Sequence, residues 1–235
     1  MIPDLNRGDL SPPQPLRLRN TGEDPTVPHP RIRFAFDYVD PGSYLTHVLL
    51  QRWREAGDAI PEVDWIPLEL RPFPETPVTP EEPEWMAMTR AMEEAAQGME
   101  IPFRPPGMVP RTRKAHEAAL HALERGCHGE LHEALFRGHF VEGKDLGRVD
   151  VLVALAEEVG MDGPELRTVL GVDRFLPRVL ELRSVALDTG IRGVPTLEFE
   201  NARLEGFTGV DHLRAFVIRG WTPGNGEDDH HKGRE

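Results

Sequence analysis

Between Arg31 and Leu70 the hydrophobic period of the chain changes twice, and that switch constrains the fold more than any other feature. In Arg31–Val39, Ile32, Phe34 and Phe36 alternate with smaller or polar neighbours, the period-two pattern of a strand. Asp40-Pro41-Gly42-Ser43 then breaks the pattern. Aspartate is a good N-cap and proline suits the first helical position, so a helix is predicted to open here. Tyr44, Leu45, Val48, Leu49 and Trp53 supply its apolar stripe and Gly57 its stop. Glu62–Leu70 reads as a second strand, ended by the proline-rich stretch from Pro72 to Pro83. Strand, helix and strand at this spacing form a βαβ unit.

From Glu84 to about Thr189 the pattern is helical. Arg111–Arg125 is alanine-rich and stops before Gly126, Glu130–Phe140 carries one apolar side, Val149–Val159 repeats at three-and-four spacing, and Phe175–Thr189 ends at Gly190. Met86, Met88, Met92 and Met99 mark the first helix of this block and read as core residues. Strand character returns at Pro195–Glu200, followed by a turn at Asn201-Ala202 and a short strand at Leu204–Phe207. Thr208-Gly-Val-Asp211 resembles a capping box opening a last helix. Residues 1–30 lack a hydrophobic period and are expected to be a flexible arm, and residues 221–235 a mobile tail.

Charge narrows the function. The 235 residues carry 27 Lys+Arg against 40 Asp+Glu, a formal net charge of −13. Nucleic acid and anionic membranes both need a basic footprint, so neither is expected as a partner. Cys127 is the single cysteine, which excludes an internal disulfide. No apolar run approaches the roughly 20 residues of a membrane-spanning helix. The first residues lack the apolar stretch of a secretory signal, so a cytoplasmic location is expected.

The order βαβ, helical block, ββα, with Gly193-Val-Pro-Thr196 ahead of the third strand, resembles the thioredoxin superfamily. The helical block narrows the resemblance to its DsbA-like branch. Within that branch the chain is similar to FrnE-type proteins, 2-hydroxychromene-2-carboxylate isomerases and kappa-class glutathione transferases. The segments Phe36–Leu45, Trp65–Pro72, Arg113–His116, Glu133–Phe136 with Phe140, and Gly193–Leu197 carry it. The fold implied is a thioredoxin-like α/β domain of residues 31–80 and 190–220, interrupted by an all-helical insertion domain at 81–189. Where oxidoreductases of this branch have Cys-Pro-x-Cys, this chain has Asp40-Pro41-Gly42-Ser43. Dithiol exchange needs an attacking and a resolving thiol on one turn, and both are absent.

In the isomerase and transferase relatives a serine hydroxyl at the first position supports the glutathione thiolate. Asp40 stands there instead, a carboxylate expected to repel a thiolate at neutral pH. The resemblance therefore implies Ser43 as hydroxyl donor, Asp40 and His116 as polar auxiliaries, and Val194 with a cis-Pro195 as the backbone clamp for a peptide-like ligand, opposite Pro41 and Gly42. Glutathione or another small thiol is the implied co-substrate of an isomerase- or transferase-like enzyme. The alternative is a peptide- or thiol-binding module that has lost catalysis. Relatives often pair, which implies a homodimer. His116, His121, His128, His132 and His139 cluster in sequence, with His128 and His132 at i,i+4 beside Cys127. No HExxH or paired CxxC accompanies them, so they read as solvated or satisfied histidines and no metal is expected.

Overall fold

The computed structural model describes residues 31–219; the expected arm and the expected tail lie outside them. β1 (Arg31–Phe36), α1 (Pro41–Glu55) and β2 (Glu62–Pro67) form the βαβ unit, with β1 and β2 parallel from Arg31 opposite Glu62 to Phe36 opposite Pro67. Five helices follow: α2 (Pro83–Gly98), α3 (Arg113–Arg125), α4 (His128–Phe140), α5 (Val149–Glu158) and α6 (Gly163–Gly171). Then come α7 (Leu176–Asp188), the hairpin β3 (Thr196–Phe199) and β4 (Ala202–Glu205), and α8 (Val210–Arg219). Sheet order is β2-β1-β3-β4, with β3 antiparallel to both neighbours.

Several boundaries differ from the sequence reading. β1 stops at Phe36 rather than Val39 and β2 at Pro67 rather than Leu70. Beyond these points Asp37 and Leu70 are tied to each other by a side-chain bond, Leu70 N–H to Asp37 Oδ2 at 2.7 Å, instead of continuing the backbone ladder. α3 begins at Arg113 and α4 at His128, and the hairpin strand runs Ala202–Glu205 rather than Leu204–Phe207. α6 was absent from the expectation. Its signal is Asp162-Gly-Pro, where Asp162 accepts the Glu165 N–H at 2.8 Å and proline occupies the first turn.

Strand alternation sorts the core. Ile32, Phe34 and Phe36 of β1, with Val63 and Trp65 of β2, face one continuous apolar cluster shared with α1, α4 and α5. Ala35, Ile66 and Leu68 point to the other face, where Ala186 of α7 and Ile191 cover them. Met86 is an exception to the expected methionine core, at 57% exposure, whereas Met92 and Met99 pack against the main cluster. Phe136 is fully buried and its ring meets those of Phe36, Tyr38, Tyr44, His47 and His132. It joins the helical block to the sheet.

Candidate active site at the opening of α1

The first turn of α1 sits beyond the C-terminal end of β1, within reach of the loop that enters β3. Asp40 caps the helix: its Oδ2 accepts the Ser43 N–H at 2.5 Å. The nearby Gly42 N–H and Ser43 side chain also favour its anionic form. Ser43 Oγ in turn accepts the Asp37 N–H at 3.4 Å. Ser43 is fully buried. The residue expected to donate to a ligand is thus engaged inside the turn.

Asp40 is only 2% exposed. Burial disfavours its anionic form, and the bonds from the turn offset this in part, leaving its pKa at about 7. The negative charge of Asp37 pushes in the same upward direction as burial. The expected carboxylate is therefore shared between acid and anion near neutral pH, which corrects the expectation of a fixed negative charge.

Across from this turn the Val194–Pro195 peptide is cis. Pro195 packs directly on Gly42: a Cβ on Gly42 would lie 2.9 Å from Pro195 Cδ and 3.3 Å from Asp40 Oδ2. Only glycine lets these surfaces meet. Pro195 C=O accepts the Gly206 N–H at 2.7 Å, closing the β-hairpin side. The Val194 N–H and C=O have no hydrogen-bond partner among the described residues. Half-buried Val194 thus presents one free donor and one free acceptor beside the Asp40 turn.

His116 does not reach this edge. It is 1% exposed, with Nε2 3.3 Å from Asp37 Oδ1 and its ring against Phe36 and Tyr38. Asp37, unremarked in the sequence, is the hub: it contacts Ser43 through its backbone, Leu70 and His116 through its carboxylate. The signal for it was its place three residues ahead of Asp40 at the end of a hydrophobic strand.

The histidines expected to be solvated or satisfied are buried, and His116, His132 and His139 each have one nitrogen in a hydrogen bond. His47, His116, His121, His128, His132 and His139 are all buried. His132 stands 2.8 Å from the Tyr38 hydroxyl through Nδ1, with ring centroids 4.8 Å from His47, 5.1 Å from His128 and 4.1 Å from Trp65. Both nitrogens of His47 and Nε2 of His132 lack partners. Burial holds His47 down at about 3, His128 at about 4, and His132 well below the ordinary imidazole value. Among the described residues no group of three or more potential ligands is arranged to hold a metal. Cys127 is partly buried, its Sγ 3.7 Å from the Ala122 carbonyl, and burial pushes its thiol up. No described helix is long and apolar enough to cross a membrane.

Comparison with known proteins agrees with this fold. The chain is 29% identical over 186 residues, 77% of its length and 92% of the relative's, to the uncharacterised protein YwbO of Bacillus subtilis. Among solved structures it resembles a probable DsbA oxidoreductase of Streptomyces coelicolor, with a TM-score of 0.69, 21% identity, and 88% and 94% of the two chains covered. It also resembles a 2-hydroxychromene-2-carboxylate isomerase, with a TM-score of 0.65, 18% identity and coverage of 80% and 95%. A third neighbour is the cytosolic disulfide reductase DsbM of Pseudomonas aeruginosa with GSH, with a TM-score of 0.58, 18% identity and coverage of 80% and 98%. Residues 31–217 match the model of the DSBA-like thioredoxin domain, so the chain belongs to that family.

Proposed function

We propose that this protein binds glutathione or a related small thiol and acts as an isomerase- or transferase-like enzyme, without dithiol exchange. One observation carries the reading: an Asp40 carboxyl with a pKa of about 7 lies at the opening of α1, facing an unpaired Val194 backbone edge across the Gly42–Pro195 contact. An extended peptide can pair with that edge, giving one hydrogen bond in each direction. Protonated Asp40 then donates to the sulfur, in the place where relatives of this kind use serine. The GSH carried by the DsbM neighbour and the isomerase neighbour support the same class of ligand and reaction. Cys127 lies on the far side of α3 from the turn in sequence and has no partner thiol, so redox exchange has no second sulfur.

The experiment is calorimetric titration of glutathione at pH 6, 7 and 8 against parent and Asp40→Ser protein. As Asp40 ionises, its charge opposes a thiolate about 4 Å away by roughly 4 kcal/mol at an effective dielectric of 20. Parent affinity should therefore fall as pH rises through 7, and the Asp40→Ser protein should lose that fall. Heats absent in both proteins would eliminate the glutathione reading. That result would favour a second reading, a peptide-binding module without catalysis, for which the burial of Ser43 and its bond from the Asp37 N–H are the supporting observations.

A further inference from the structure

Beside the α1 turn, at the C-terminal ends of β1 and β2, a small pocket is closed by the segment leading into α3. Asp37, Glu69, Arg71, Arg111 and Thr112 form its polar part, and Val39, Leu70 and Val78 are among its apolar walls. The Arg113 N–H at the start of α3 lies near enough to Glu69 to favour its anionic form. Thr112 occupies the cap position yet makes no capping bond. Two polar atoms in this pocket are consequently orphaned: Glu69 Oε1 and Thr112 Oγ1, on side chains 8% and 0% exposed. Buried polar atoms without partners are rare in folded proteins. The pocket volume is about 10 Å³, close to the roughly 10–15 Å³ that one water needs and too small for a larger ligand.

We infer that the pocket is a single-water site, in which one water accepts from the Thr112 hydroxyl, donates to Glu69 Oε1 and reaches the Asp37 carboxylate. The water meets the requirement of two to four polar partners and supplies what both orphaned atoms lack. It makes Glu69, Asp37 and His116 one hydrogen-bonded unit, because Asp37 Oδ1 already lies 3.3 Å from His116 Nε2. Burial and the charge of Asp37 raise the Glu69 carboxyl above the ordinary carboxylate value. The groups facing Glu69 are Asp37 from the end of β1, His116 from α3, and Arg111 with the Arg113 N–H from the segment opening α3. The site is independent of any thiol at Asp40, so it stands or falls separately from the functional reading above.

The test uses the full chain in buffers free of ammonium. A crystal structure of the parent should show one ordered water within hydrogen-bonding distance of Glu69 Oε1 and Thr112 Oγ1, retained in Thr112→Ser and lost in Thr112→Val. Carbon-detected NMR titration should place the Glu69 midpoint about one pH unit higher in Thr112→Val than in Thr112→Ser, since the ionised carboxylate loses its bound donor. If Thr112→Val does not fold, the parent alone decides: a long-lived water giving a cross-peak to the Arg113 amide supports the site. A dry pocket in the parent, a water whose loss leaves the Glu69 titration unchanged, or occupancy that follows added sodium or ammonium would overturn it.

Discussion

Replacing Asp40 by asparagine tests the electrostatics of the α1 turn directly. Asparagine is as good an N-cap as aspartate, so the helix keeps its cap acceptor while the ionisable group disappears. In the folded protein Asp40 has a pKa of about 7, against 3.8 for the free group. The native state therefore holds this proton longer than the unfolded chain does. Its stability contribution is fully present below the unfolded value, falls as pH rises toward 7, and is constant beyond. From pH 5 to pH 8 the shift implies a loss of roughly 2–3 kcal/mol in the parent that Asp40→Asn does not suffer. Urea unfolding of both proteins at pH 5, 6, 7 and 8 measures it. Titration of the buried histidines affects both proteins alike and cancels in the difference. The advantage of Asp40→Asn should widen by that amount and level off above pH 7. A constant difference across the range would mean that Asp40 is ionised throughout, and would refute both the burial argument and the proton-donor role built on it.

Other consequences are equally open to measurement. His47, His128 and His132 are held neutral by burial, so their stabilising contribution is complete above pH 6.5 and lost as pH falls, by up to about 1.4 kcal/mol per unit for each. His47→Phe, which keeps a ring against Phe136, should shift the midpoint of acid unfolding to lower pH; an unchanged midpoint would remove this cluster as the acid-sensitive element. Gly42→Ala should drive a methyl into Pro195 and lower Tm with loss of any glutathione binding, whereas an unaltered Tm would show that the turn and the loop can separate freely. The parent should not accelerate insulin reduction above background, and activity abolished by Cys127→Ser would relocate the chemistry to the insertion. Phe136→Ala should cost about 3–5 kcal/mol in urea unfolding, and a cost below about 1 kcal/mol would show that the ring does not join the two parts.

Local rules carried the sequence reading as far as local interactions reach. The period switch at Arg31–Leu70 specified the parallel βαβ unit because side chains alternate along a strand and recur every third or fourth residue along a helix. Asp40-Pro41 specified the start of α1 because a cap and its first turn are neighbours in the chain. A single cysteine excluded dithiol exchange by counting alone. The ends of the strands and the site itself were settled by contacts between distant residues. Asp37 meets His116 across 79 positions and Tyr38 meets His132 across 94, and no periodicity encodes such pairs. Burial did the rest. It turned Asp40 from a fixed anion into a group with a pKa of about 7, engaged the Ser43 hydroxyl inside the turn, and placed the clustered histidines in the core. Proton affinity depends on the water removed from around a group and on the charges left beside it, and both are properties of the packed tertiary structure.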